Sequence, residues 1–102
     1  MLEDLAARFE TASEVYAADN GITRDAEWFL LKLQEEVGEL THAFNRKTGR
    51  ARHKGLSDDQ LALAMADEAA DVFGHILLLT RAHDIDLAAA IERKWRFKPS
   101  AQ

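Results

Sequence analysis

The chain has 102 residues, is 47% hydrophobic and 30% charged, and carries a formal net charge of −5 with no cysteine. That length holds one domain, and the cysteine count excludes disulfides and thiolate metal sites. The acidic balance argues against broad nucleic-acid binding, no apolar run is long enough for a bilayer, and the acidic start Met1-Leu-Glu-Asp-Leu has no signal-peptide core, so a cytoplasmic protein is expected.

Ala, Leu, Glu, Lys and Arg dominate, Pro occurs once at Pro99, and β-branched residues are sparse, which is helical composition. A first helix is expected over residues 2–18, with Leu2, Leu5, Phe9, Ala12 and Tyr16 on one stripe. Asn20-Gly21 stops it, because both residues tolerate the left-handed conformation of a helix end. Asp25 is the expected N-cap of a second helix reaching Lys47, with the apolar stripe Phe29, Leu33, Val37, Leu40 and Phe44. Gly49 closes that region and a basic loop follows.

Ser57-Asp-Asp-Gln60 reads as a capping box opening a third helix that runs to Ala82. Leu61, Met65, Ala69, Val72, Ile76 and Leu79 are its expected inward residues. At 1.5 Å per residue such a helix is roughly 38 Å long. It overhangs a monomer of this size, and a chain this short gains from a partner that covers more of its surface. Asp86 caps a short fourth helix ending near Arg96. No strand pattern, repeat or linker is present, so the expected architecture is an all-α, four-helix bundle with short connections.

Most of the 13 basic residues fall into two groups, Arg46, Lys47, Arg50, Arg52 and Lys54, and Arg93, Lys94, Arg96 and Lys98. Positive charge favours helix C-termini and solubility, and some of these side chains are also placed to hold phosphate.

The chemistry-bearing residues are acids. Glu35, Glu36 and Glu39 lie in Leu-Gln-Glu-Glu-Val-Gly-Glu-Leu, and Glu68 and Asp71 in Asp-Glu-Ala-Ala-Asp-Val. Residues three or four apart share a helical face. On a wheel with Glu35 at zero, Glu39 falls near about 40° and Glu36 near about 100°, beside the apolar sector that begins near about 120°. With Asp67 at zero, Asp71, His75 and Glu68 fall near about 40°, 80° and 100°, again at the edge of the apolar sector. Acids at core edges need partners. Two such faces turned together repel, by about 4 kcal/mol per pair at 4 Å and an effective dielectric near 20. Protons or cations must neutralise them, and carboxylate oxygen is the preferred ligand of Mg²⁺. Solvated faces of amphipathic helices are the blander alternative.

At these residues the chain resembles the MazG-type all-α nucleoside triphosphate pyrophosphohydrolases. Glu35-Glu36-x-x-Glu39, a gap of 28 residues, and Glu68-x-x-Asp71 match that family's bipartite signature, and Lys32-Leu-Gln-Glu-Glu-Val-Gly-Glu-Leu and Asp-Glu-Ala-Ala-Asp-Val-Phe match its wording around both parts. Asp84-Ile-Asp-Leu-Ala-Ala-Ala-Ile-Glu-Arg-Lys94 is similar to its last helix, so the resemblance covers residues 25–96. It implies a homodimer or homotetramer and hydrolysis of a nucleoside triphosphate between its α and β phosphates. It further implies Mg²⁺, or Mn²⁺ as a substitute, held by Glu36, Glu39, Glu68 and Asp71. Glu35, one turn from Glu39, would orient or deprotonate the attacking water, or is a solvated glutamate. Lys94 matches a basic position of the last helix and, with Arg96, is placed as a phosphate contact. The chain departs from the pattern in its long gap and in lacking the Asn expected, with an Arg, after Lys94; Arg96 is present.

Three supporting residues stay open on the residues themselves. Trp28, on the acidic side of its helix, would stack on a nucleobase or belong to the core or a dimer interface. Lys32 pairs with Glu36 or touches phosphate. His75, four residues after Asp71, is placed to hydrogen-bond a ligating carboxylate, and a satisfied half-buried histidine is expected over a direct metal ligand. Two other functions remain compatible with the pattern. One is phosphoribosyl-ATP pyrophosphohydrolysis. The other is a non-catalytic helical module that binds metal or a basic partner protein.

Overall fold

The computed structural model describes residues 1–99. It has four helices, α1 (Leu2–Asn20), α2 (Ala26–Lys47), α3 (Asp58–Ala82) and α4 (Leu87–Trp95), with no strand among the described residues. The helix boundaries follow from their caps. Gly21 ends α1 with φ 65° and donates its N–H to the Ala17 carbonyl. The Asp25 carboxylate accepts the Trp28 N–H at 2.8 Å and starts α2. At α3 the Ser57 hydroxyl accepts the Gln60 N–H at 3.1 Å, while the Gln60 side chain accepts the Ser57 N–H at 2.8 Å. Asp86 accepts the Ala89 N–H at 3.0 Å and starts α4. Each such cap contributes about 1 kcal/mol.

Helix α3 is the axis of the molecule. Helix α2 packs along it extensively, α1 crosses it more briefly, and α4 barely touches the rest. The α1–α2 connection is tied down by Arg24. Its guanidinium donates two hydrogen bonds of 2.8 Å to the Glu10 carboxylate and one of 3.1 Å to the Ser13 hydroxyl. The same group lies 5.3 Å from the centre of the Phe29 ring. A bidentate guanidinium–carboxylate pair is a strong, oriented contact, and here it fixes where α2 begins relative to α1.

The buried apolar residues are few: Ala17, Phe29, Ala43, Leu61, Leu77 and Leu78. Phe29 and Leu61 belong to the expected stripes, but other stripe residues do not reach the core. Ala12 and Tyr16 of α1, Val37 and Phe44 of α2, and Ala69 of α3 are exposed. On α3 the buried positions are Leu61, which belongs to the expected inward set, and Gly74, Leu77 and Leu78, which lie between about 280° and 20° on the wheel with Asp67 at zero. The expected inward set lies between about 120° and 200°. Helix α3 is thus covered on two faces, and the one taken by α1 is not the one that simple amphipathicity selects. The other apolar sector is only partly covered within one chain. The radius of gyration is 15.9 Å and the extents are 42 × 39 × 20 Å. A compact chain of this length has a radius near about 13 Å, so the molecule is a flattened, open bundle.

On α2 the uncovered residues form their own line. Leu30, Val37 and Phe44 repeat every seven positions and are 50%, 42% and 40% exposed. They sit at about 180–220° on the α2 wheel with Glu35 at zero, beside the sector that meets α3.

Candidate functional site

Because α1 and α2 take different faces of α3, a groove is left between them along the α3 positions that carry Asp71, His75 and Glu68. The groove brings acids from α2 and α3 together. Glu36, Glu68 and Asp71 each offer a carboxylate oxygen within 4.8 Å of the others. Glu36 and Glu68 are half-buried and Asp71 is exposed. Loss of solvent, followed by the negative charges of Asp71, Glu36, Glu39 and Asp67, raises the Glu68 carboxyl above its ordinary value. Glu39 therefore acts on the cluster electrostatically, although it lies outside the group of three and is exposed.

Lys32 provides the nearby positive charge. Its ammonium lies 3.3 Å from the Glu35 carboxylate and 3.7 Å from that of Glu36. The expected helix pairing with Glu36 is present, and it is shared with Glu35. The Glu35 side chain is 59% exposed and so remains accessible to water.

Above the acids the groove opens into a cavity of about 340 Å³, to which Lys32, Glu36 and Asp71 contribute one wall. The rest is mainly aromatic and apolar, with Phe9 and Tyr16 from α1, Trp28 from α2 and Gly74 from α3. Trp28 meets the Phe29 ring edge-to-face at 5.2 Å and the His75 ring at 6.1 Å between centroids. It is half-buried, with one side against the protein and one side lining the cavity.

His75 differs from expectation. It is half-buried, but its Nδ1 is buried and has no hydrogen-bond partner among the described residues. Burial holds its pKa below the ordinary value, with Lys32 acting in the same direction, against the upward pull of Glu36, Asp71 and Glu35. Burial thus favours the neutral imidazole, and its Nδ1 is shut off from solvent without a partner among the described residues. The wheel places His75 correctly beside the acids but cannot count its hydrogen bonds.

Lys94 and Arg96 are exposed and do not line this cavity. Arg96 is the left-handed residue that ends α4, with φ 65°. The structure of one chain does not bring either to the acids. The basic loop residues Arg50, Arg52 and Lys54 are exposed as well. Arg50 is used locally, donating to the Thr48 hydroxyl at 2.9 Å and lying 5.6 Å from the Phe44 ring centre.

Sequence reasoning assigned Phe9 and Tyr16 to a core stripe and passed over Ser13 and Gly74. One signal was available. A glycine inside an Ala/Leu-rich helix costs about 1 kcal/mol relative to alanine, so Gly74 marked a close approach. Arg24 gave no signal, since its partner is 14 residues away and on another helix.

No family model matches the chain, and no curated protein and no solved structure matches it at a significant level. The resemblance described above therefore stands on the motif residues themselves, and their arrangement in space is the independent ground for a functional reading.

The donor set suits a hard cation. All three groups are carboxylates, the ligand type Mg²⁺ prefers. Oxygens on one octahedral ion lie about 3–4 Å apart, so the cluster needs only a small inward adjustment of its side chains. Loss of solvent first, and then its acidic neighbours, raise the Glu68 carboxyl within this cluster.

Proposed function

We propose that this chain is a Mg²⁺-dependent nucleoside triphosphate pyrophosphohydrolase of MazG type, releasing a nucleoside monophosphate and pyrophosphate. The observation that carries the reading is the meeting of Glu36 with Glu68 and Asp71, from two helices, within 4.8 Å and on the wall of an aromatic cavity. Acids alone suit many cations. Acids beside an aromatic cavity suit a ligand with a phosphate end and a base end.

In this reading Glu36, Glu68 and Asp71 would hold Mg²⁺, with Glu39 adding negative charge to the site. Bound there, Mg²⁺ neutralises phosphate charge and polarises a phosphoryl oxygen. Glu35 is the catalytic base. Its accessible carboxylate, held by Lys32, orients a water and takes its proton as the oxygen attacks a phosphorus of the α–β anhydride. The bridging P–O bond then breaks and pyrophosphate leaves. No covalent nucleophile is needed, consistent with a chain that has no cysteine. Lys32 is also within reach of a phosphate oxygen once the acids are occupied by cation. Lys94 and Arg96 have no support as phosphate contacts from the single chain.

The assembly in this reading is a homodimer or homotetramer. Its support is the exposed α2 line of Leu30, Val37 and Phe44 and the open, flattened shape. Contiguous exposed apolar surface of this kind usually marks an interaction site. A partner that covers the α2 line completes the core that one chain lacks.

The test is pyrophosphate release from a panel of canonical and modified nucleoside triphosphates, including phosphoribosyl-ATP, with Mg²⁺ and with a chelator. Mg²⁺-dependent release is expected from at least one member. Asp71→Ala and Glu39→Ala are expected to reduce turnover by at least about a hundredfold, as loss of electrostatic stabilisation typically does, with the helical circular dichroism unchanged. Release from phosphoribosyl-ATP alone would redirect the assignment to that hydrolase. No release from any compound, or full activity of both variants, would remove the enzymatic reading and leave a helical binding module.

A further inference from the structure

A second cavity, of about 370 Å³, lies away from the acidic cluster, where the start of α1 and the end of α3 meet the first turn of α4. Its lining is apolar at Leu2, Ala6, Leu77 and Ile85. It is acidic at Glu3, Asp84 and Asp86, with Arg81 as its cation. All three acids are exposed, so they edge the cavity on its solvent side.

Helix α4 ends in a segment of the opposite character, Arg93-Lys94-Trp95-Arg96-Phe97-Lys98. On a wheel with Leu87 at zero, Ile91, Trp95 and Ala88 fall near about 40°, 80° and 100°. Leu87, Ala88 and Ile91 are half-buried, whereas Trp95 on the same face is 74% exposed and Phe97 beyond it 55%. The apolar stripe of α4 therefore runs on past the protein that covers its start. Arg93, Lys94, Arg96 and Lys98 are exposed and have no ion-pair partner among the described residues. Neither Trp95 nor Phe97 lines the cavity of its own chain.

The segment and the cavity complement each other. One offers aromatic rings among four cations, and the other an apolar hollow edged by three acids. Both lie on or beside one helix roughly 14 Å long. An extended anionic surface, such as a bilayer or a nucleic acid, would meet the acids as well as the cations. A second copy of the chain instead presents each patch with its opposite, and a two-fold axis makes the exchange reciprocal. We propose that this cavity is the docking site for the Trp95–Lys98 segment of a second copy, each copy seating its segment in the other. Trp95 and Phe97 are the anchors that fill the apolar hollow. The cations meet Glu3, Asp84 and Asp86 and set the orientation of the pair. The contact is separate from the α2 line, whose Leu30, Val37 and Phe44 do not line this cavity. It stands independently of the nucleotide reading. With both surfaces paired the assembly is a tetramer, and with this one alone it is a dimer.

The experiment has two arms, both on the full chain. The chain has no cysteine, so single introduced thiols report the contact. Ala6→Cys, in the cavity, and Phe97→Cys, on the segment, are mixed and treated with a short bis-maleimide. A cross-linked dimer is expected in the mixture, well above the amount in either variant alone. In the second arm, sedimentation velocity follows the wild type, Trp95→Ala and Val37→Glu over a dilution series. Trp95→Ala is expected to raise the dissociation constant of this contact at least about thirtyfold, the scale of an aromatic anchor. Its helical circular dichroism should be unchanged, because the indole is exposed within one chain. Val37→Glu is expected to keep this contact. Its mass falls to that of a dimer if the α2 line also pairs, and equals that of a dimeric wild type if it does not. A mixture that cross-links no better than the single variants, or a Trp95→Ala variant that associates as tightly as wild type, would overturn the proposal. Loss of binding to phosphatidylserine vesicles in Trp95→Ala, with self-association unchanged, would reassign the segment to an anionic bilayer.

Discussion

Glu68→Gln tests the acidic cluster without any assumption about substrate. In the cation-free protein Glu68 faces Glu36 and Asp71 with oxygens within 4.8 Å. At that separation one like-charge pair costs about 3.5 kcal/mol at an effective dielectric of 20 and about 0.9 kcal/mol in bulk water. Asp71 is exposed, so the lower figure governs that pair, and salt reduces it further. Removing the Glu68 charge while keeping its shape should therefore stabilise the cation-free fold by about 1–2 kcal/mol. For a domain of this size that is a rise in Tm of about 4–16 °C. The sign follows from the raised Glu68 carboxyl. Between its ordinary and its raised value the folded chain holds a proton that the unfolded chain has released. Stability of the cation-free protein accordingly falls as pH rises through that window. The assay is urea unfolding at low ionic strength, in chelator and in Mg²⁺. In chelator the variant should be the more stable chain and should lack the fall with pH. In Mg²⁺ the wild type should gain, by about 2.7 kcal/mol at a hundred times Kd, and the variant should gain much less. A variant that is less stable than wild type in chelator, or that gains equally from Mg²⁺, would refute the account of Glu68 as an uncompensated ligand.

Two further outcomes concern the scaffold. Arg24→Ala removes two charged hydrogen bonds to Glu10 in a pair whose side chains are only 15% and 22% exposed, and should cost about 1.5–3 kcal/mol in chemical unfolding. Arg24 holds the Glu10 carboxyl below its ordinary value. The stabilisation is therefore fully present above the ordinary carboxylate range and is lost as pH falls through the lowered value. The acid limb of the stability profile should flatten in the variant, and an unchanged limb would show that the pair contributes nothing. Val37→Glu places a charge in the middle of the exposed α2 line, where a monomer tolerates it and an interface does not. Sedimentation velocity should show an oligomer for the wild type and a smaller species for the variant. A monomeric wild type would remove the partner from the proposed assembly.

Local chemistry made the helices legible in the sequence. Asp25, Ser57 with Gln60, Asp86 and Gly21 each complete a cap with atoms only a few residues away, so the boundaries needed no tertiary information. The same locality placed Glu36, Glu68, Asp71 and His75 at core edges, because a helical wheel depends only on the 3.6-residue repeat. The wheel could not report which neighbour covers which sector. It gave α3 one apolar face, whereas α1 packs on another through Gly74, Leu77 and Leu78. That choice depends on the Phe9 ring meeting a residue without a side chain, a contact between positions far apart in the chain. The cavity, the buried, unpartnered Nδ1 of His75 and the Arg24–Glu10 pair depend on the same packing of three helices and were equally unreadable from spacing. Sequence alone determined where the helices start and stop and which acids share a face, since hydrogen bonds to the nearest backbone groups decide both. The tertiary structure decided that three of those acids meet and that a cavity opens beside them, since both depend on which surfaces of three helices fit together.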